Sequence, residues 1–129
     1  MLRVFFRKTF LIFIITTVTA QTEKEVIPPY NIKTVTFVQN GQNVIPIFQL
    51  GNGFQLQFDD LYGNEANYYY EIIHCDYNWN PSEIPKSDYL QGFDGQRIQE
   101  YTNSFNTLQI YSHYQLSFPN SNTQLRISG

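Results

Sequence analysis

The chain has 129 residues and a formal charge of −3, with 42% of its residues hydrophobic, 17% aromatic and 15% charged. That length supports one compact core, and so much apolar and aromatic side chain excludes disorder over most of it. Eight Lys and Arg against eleven Asp and Glu, with nothing basic running together beyond the first eight residues, argue against nucleic acid as a partner.

At the N-terminus Arg3, Arg7 and Lys8 precede the apolar run from Phe10 to Ile15, which continues through Val18 to the small residues Thr19 and Ala20 before polar Gln21. This is the layout of a secretory signal peptide, residues 1–20, cleaved after Ala20. The apolar stretch falls short of the roughly twenty residues that span a hydrocarbon layer, so an export signal is preferred to a membrane anchor. No Cys follows the cut to carry a lipid. Cleavage removes three basic groups and no acid, which leaves five basic and eleven acidic groups, a net of −6 over 109 residues. An exported domain of that charge is not drawn to an anionic membrane surface but suits a basic protein face. Cys75 is the single cysteine, so no internal disulfide is available and the fold rests on its core.

Residues 21–30 form a leader ending in Pro28 and Pro29, and residues 31–129 read as an all-β domain. A first strand, Ile32 to Val38, runs into Asn40-Gly41, a tight-turn dipeptide that returns the chain as a second strand over Val44 to Leu50. After Gly51-Asn52-Gly53, the alternation of Phe54, Leu56 and Phe58 with Gln55, Gln57 and Asp59 predicts a half-buried strand. Tyr68 to Cys75 is apolar on both faces and is predicted as a central strand. Residues 76–95 make a long hydrophobic connection lying against the sheets, with one helical turn expected at Ser87–Leu90 or Gly95–Tyr101. Within it Trp79 is the expected anchor, its ring packed over Tyr68–Cys75 so that Trp79→Ala costs roughly 3 kcal/mol. Thr107 to Phe118 alternates again, with Leu108, Ile110, Tyr114, Leu116 and Phe118 inward and Tyr111 and His113 outward. Pro119 to Asn122 turns the chain, and Thr123 to Ser128 opens a further strand that stops at Gly129, the pattern of a domain truncated at its C-terminus. Six or so such strands predict an antiparallel immunoglobulin-like β-sandwich, with a barrel as the alternative.

No constellation for chemistry stands out. His74 and Cys75 are strand neighbours and point apart, so a metal site with Asp76 or His113 is not expected, nor is a thiol nucleophile. Asp59, Asp60 and Glu71 could be the paired carboxylates of a glycosidase only if a cleft separated them suitably. No glycine-rich loop opens a helix to hold a phosphate. The ten Tyr and one Trp exceed what a small core can bury with every hydroxyl satisfied, so some are expected at the surface for recognition.

The residues Ile72 to Glu83 (IIHCDYNWNPSE), Asp88 to Phe93 (DYLQGF), Ser104 to Thr107 (SFNT), Tyr111 to Asn120 (YSHYQLSFPN) and Leu125 to Gly129 (LRISG) occur in an order that resembles the N-terminal domain of type 9 secretion system plug proteins of the Bacteroidota, over about Val26 to Gly129. The resemblance implies a periplasmic, non-catalytic protein, peripheral to the inner face of the outer membrane, that closes the translocon barrel there. It implies no cofactor, no metal and no small-molecule substrate. Tyr111 and His113 are the candidate partner contacts. The alternative function is an exported carbohydrate-binding sandwich, with a hydrolase third.

Overall fold

A computed structural model describes residues 25–129, so the export signal assigned to residues 1–20 lies outside the described residues. The described chain is almost entirely antiparallel β, as expected. Its elements are β1 (Ile32–Gln39), β2 (Gln42–Val44), β3 (Phe54–Asp60), β4 (Tyr69–Tyr70), the helical turn α1 (Lys86–Tyr89), β5 (Leu90–Gly92), β6 (Gln96–Arg97), β7 (Glu100–Asn103), β8 (Ser112–Phe118) and β9 (Thr123–Leu125). Five strands form the main sheet in the order β2-β1-β3-β8-β7. Asn40 and Gly41 close β1 onto β2 with φ of 53° and 77°. That is the two-residue turn whose twist matches its strands, and it suits Asn followed by a residue without a Cβ.

The period-2 patterns of β3 and β8 divide the sheet into two unlike faces. On one face Phe54 pairs with Phe118, Leu56 with Leu116, Phe58 with Tyr114 and Asp60 with Ser112. On the other lie Gln55 with Ser117, Gln57 with Gln115 and Asp59 with His113. The apolar face carries the core, where the Phe58 and Tyr114 rings stack with centroids 5.2 Å apart and Tyr68 meets them edge-on at 5.1 and 4.9 Å. Buried Ile98 and half-buried Tyr70, Tyr101 and Leu116 complete it. The layer over this face is two short ribbons, β4 with β6 and β5 with β9, together with the connections between them.

Four sequence expectations are corrected. The second strand ends at Val44 instead of running to Leu50, because Pro46 has no N–H for the ladder. The segment folds over instead, and Phe48 stacks on Phe54 with centroids 4.2 Å apart. Tyr68–Cys75 is not the central strand: only Tyr69 and Tyr70 pair, and the central strands are β1, β3 and β8. The tyrosines there serve as hydroxyl anchors, Tyr68 Oη donating to Asp60 Oδ2 at 2.9 Å and Tyr70 Oη to Thr123 Oγ1 at 3.1 Å. Leu108 and Ile110 do not face inward, since β8 begins only at Ser112 and both lie exposed in the preceding loop.

Trp79 is the fourth. It is 68% exposed and does not anchor the connection. The chain from His74 to Ser82 folds back on itself, with Cys75 bridging Pro81 and Ser82 N donating to His74 O at 2.8 Å. The loop is organised by Asp76, whose Oδ1 accepts from Asn78 N at 2.7 Å and Asn80 N at 3.0 Å. The Asn80 N–H, followed by the Asn78 N–H and the Asn80 side chain, holds the Asp76 carboxyl below its ordinary range. Trp79 sits near the apex with φ of 62° and displays its ring outward. In a chain of residues 21–129, Trp79→Ala is expected to shift the urea unfolding free energy by no more than about 0.5 kcal/mol.

Candidate docking surfaces

The groups that could have carried chemistry are each held in structural bonds, in separate places. Asp59 Oδ1 lies 2.7 Å from His113 Nδ1 on the polar face of the sheet. Asp60, fully buried, accepts from Asn31 Nδ2 at 2.8 Å, Tyr62 N at 3.0 Å and Tyr68 Oη at 2.9 Å. Glu71 and Asp94 both receive Lys86 Nζ, an arrangement that ties α1 to the covering layer and raises the ammonium pKa, through Asp94 first and Glu71 second. His74 Nε2 lies 3.3 Å from the Ser128 carbonyl and Nδ1 2.8 Å from Ser82 Oγ. A carbonyl can only accept, so Nε2 carries a proton, and in the neutral ring Nδ1 accepts from Ser82 Oγ–H. Among the described residues no group of three His, Cys, Asp or Glu is placed to share an ion.

Of the candidate contacts, Tyr111 is half-buried at the start of the β8 segment, its N–H donating to Ser104 Oγ at 2.9 Å. His113 is on the outward polar face beside Asp59. Trp79 lines a groove that neither of them lines.

What the sequence did not single out is an apolar end of the sheet. Leu61 N donates to Asn31 O at 2.8 Å and Gln109 Nε2 donates to Leu61 O at 3.0 Å, which brings residues 30–31, 61–63 and 105–110 together. Ile110 lies over Gly63, which turns with φ of 57°, close enough that a Cβ there would sit 3.4 Å from the Ile110 side chain. The result is an end that exposes Tyr30, Tyr62, Phe105 (93% exposed), Leu108 and Ile110. Large apolar residues gathered at one end of a small domain mark an interaction surface. The available sequence signal was Asn106, a residue that tolerates the left-handed conformation it adopts at φ of 55°.

At the opposite end, where β3 begins and β8 ends, two grooves adjoin. One, of about 550 Å³, is lined by Ile73, Trp79, Tyr89 and Ile127, with Gly129 at its edge. The other, of about 390 Å³, is lined by Phe48, Leu50 and Phe118, and also reaches Gly129.

The family model described as "Type 9 secretion system plug protein 1st domain" matches residues 32–129. The fold is similar to the crystal structure of a hypothetical protein from Parabacteroides merdae ATCC 43184, with a TM-score of 0.72 and 32% sequence identity over 78% of this chain and 26% of that one. The present chain therefore spans about a quarter of the length of that protein. No curated protein matches the sequence.

Proposed function

Since the chain belongs to the type 9 secretion system plug family, as its first domain, we propose that it is an exported, non-catalytic body that docks on the outer-membrane translocon barrel from the periplasm and helps to occlude it. Family membership supports a cell-envelope location and association with the secretion apparatus. The observation that carries the docking reading is the apolar loop end of Tyr62, Phe105, Leu108 and Ile110, exposed around a rigid sheet. Occlusion needs a folded body and a complementary surface, and interface energy concentrates in such aromatic and aliphatic anchors.

The test is affinity purification of the tagged full-length protein from the native envelope. Wild type is expected to recover a very large barrel protein. Phe105→Asp combined with Leu108→Asp should reduce that recovery about tenfold or more, each charge being driven into an apolar interface. Both residues are exposed, so unfolding free energy should move by no more than about 0.5 kcal/mol. Recovery of periplasmic glycan enzymes and no barrel sinks the proposal.

Exposed Tyr77 and Trp79 favour one other reading, a carbohydrate-binding module that stacks a sugar on aromatic rings. Calorimetry with soluble glycans separates the two, because saturable heat that Trp79→Ala removes belongs to sugar stacking alone.

A further inference from the structure

We propose that the paired grooves at the end of the domain that bears Gly129 are the seat of the polypeptide that follows it in the full plug protein, so that the second domain packs onto Trp79, Ile73 and Ile127. The inference rests on the family reading, because a first domain implies others and the matched Parabacteroides chain is far longer than the matched span.

Three observations converge there. Leu125, Ser128 and Gly129 line both grooves, so the backbone at residue 129 stands at their junction and whatever continues from it starts between them. The exit is held in place: His74 Nε2–H donates to Ser128 O at 3.3 Å, and Arg126 N donates to Tyr89 O at 2.9 Å. It also passes close to the His74 ring: a Cβ added at Gly129 would come within 2.5 Å of His74 Nε2, so any other residue there would have to displace a ring already bonded to Ser82 and Ser128. Around this fixed exit stand side chains that the domain leaves uncovered, Tyr77 at 92% exposure and Trp79 at 68%, with Ile73 and Ile127 between a third and a half exposed.

The tether decides the occupant. A segment joined at residue 129 meets the grooves at an effective concentration on the order of millimolar, which a separate partner or a second copy does not reach in dilute solution. The seated residues are apolar, matching Ile73, Trp79, Leu125 and Ile127, and they take the place of water over the Trp79 ring.

Hydroxyl-radical footprinting of the purified full-length protein, read residue by residue by mass spectrometry at submicromolar concentration, tests this without any substitution. Corrected for intrinsic reactivity, Trp79, Tyr77 and Ile127 are expected to be oxidised at least about fivefold more slowly than their exposure in the isolated domain dictates, while Phe105 and Leu108 react freely. Free reaction of Trp79 and Tyr77 overturns the proposal. Protection that disappears on dilution also overturns it, assigning the grooves to a second copy. Docking on the translocon is read separately, by recovery of the barrel, so protected grooves without barrel recovery would leave this inference standing while the proposed function fell.

Discussion

Tyr114→Ala is expected to cost about 4 kcal/mol of unfolding free energy, the range for removing a large aromatic ring from a packed core. Tyr114 is 0% exposed, on the central strand β8, and its ring meets Phe58, Tyr68 and Tyr101 at centroid distances of 5.2, 4.9 and 5.4 Å. The hydroxyl separates packing from polarity: Tyr114 Oη donates to Ala66 O at 2.8 Å, so Tyr114→Phe removes one bond and is expected to cost only about 1 kcal/mol. Urea titrations of both variants check the pair. Equal losses would mean that the hydroxyl, and not the ring, carries the residue's contribution.

The second large effect is at Asp60. Its carboxylate serves three donors with no exposed surface, so Asp60→Ala orphans Asn31 Nδ2, Tyr62 N and Tyr68 Oη together and is expected to cost about 3–5 kcal/mol. The same site sets a pH dependence. Burial pushes the Asp60 carboxyl upward, but the hydrogen bonds from Asn31, Tyr62 and Tyr68 outweigh it and hold the group below its ordinary value of 3.8. A folded-state value lower than the unfolded one gives stability that is present above pH 3.8 and lost as the pH falls through the folded value. Tyr68 runs the other way. Burial first, and the Asp60 carboxylate second, push its phenol from 10.0 up to about 12, so its contribution is present below pH 10 and lost as the pH rises toward 12. Unfolding free energy measured across pH should therefore fall at both extremes. Asp60→Asn, which has no ionisable group, should flatten part of the acid limb, and an acid limb identical to wild type would show that Asp60 does not titrate with folding.

Much of the main sheet was legible in the sequence because its signals are local. Asn40-Gly41 specifies its own turn, and the alternation through Phe54–Phe58 and Tyr114–Phe118 states directly which face is wet. The covering layer was not legible, because there aromatic density and burial part company. Tyr68 to Cys75 looks like a doubly buried strand, yet Tyr69 and Ile73 are exposed and Glu71 reaches Lys86 across the surface. Which tyrosine ring is buried is decided by where Asp60 and Thr123 lie, and those partners come from strands 8 and 53 residues away in the chain. Trp79 misled for a related reason. A lone Trp usually packs, but here Asp76 caps a loop that needs a positive φ near its apex, and the loop geometry turns the ring outward whatever its hydrophobicity. The apolar end was hidden in the same way, Leu108 and Ile110 being read as inward by extending the β8 alternation backward past Ser112.

The margins of the main sheet are broken: β2 pairs only with Phe37–Gln39 of β1, β7 only with Ser112–Gln115 of β8, and the rest of β1 is bulged, with Thr34 at φ of 55° and a register shift between Lys33 and Thr36. A margin interrupted by a bulge leaves few amides and carbonyls aligned in a row, so an extended polypeptide drifting past finds little template on which to zip up as an extra strand. A body edged in this way is slow to take on a foreign strand, so its contacts with other chains fall to its side chains, which can let go.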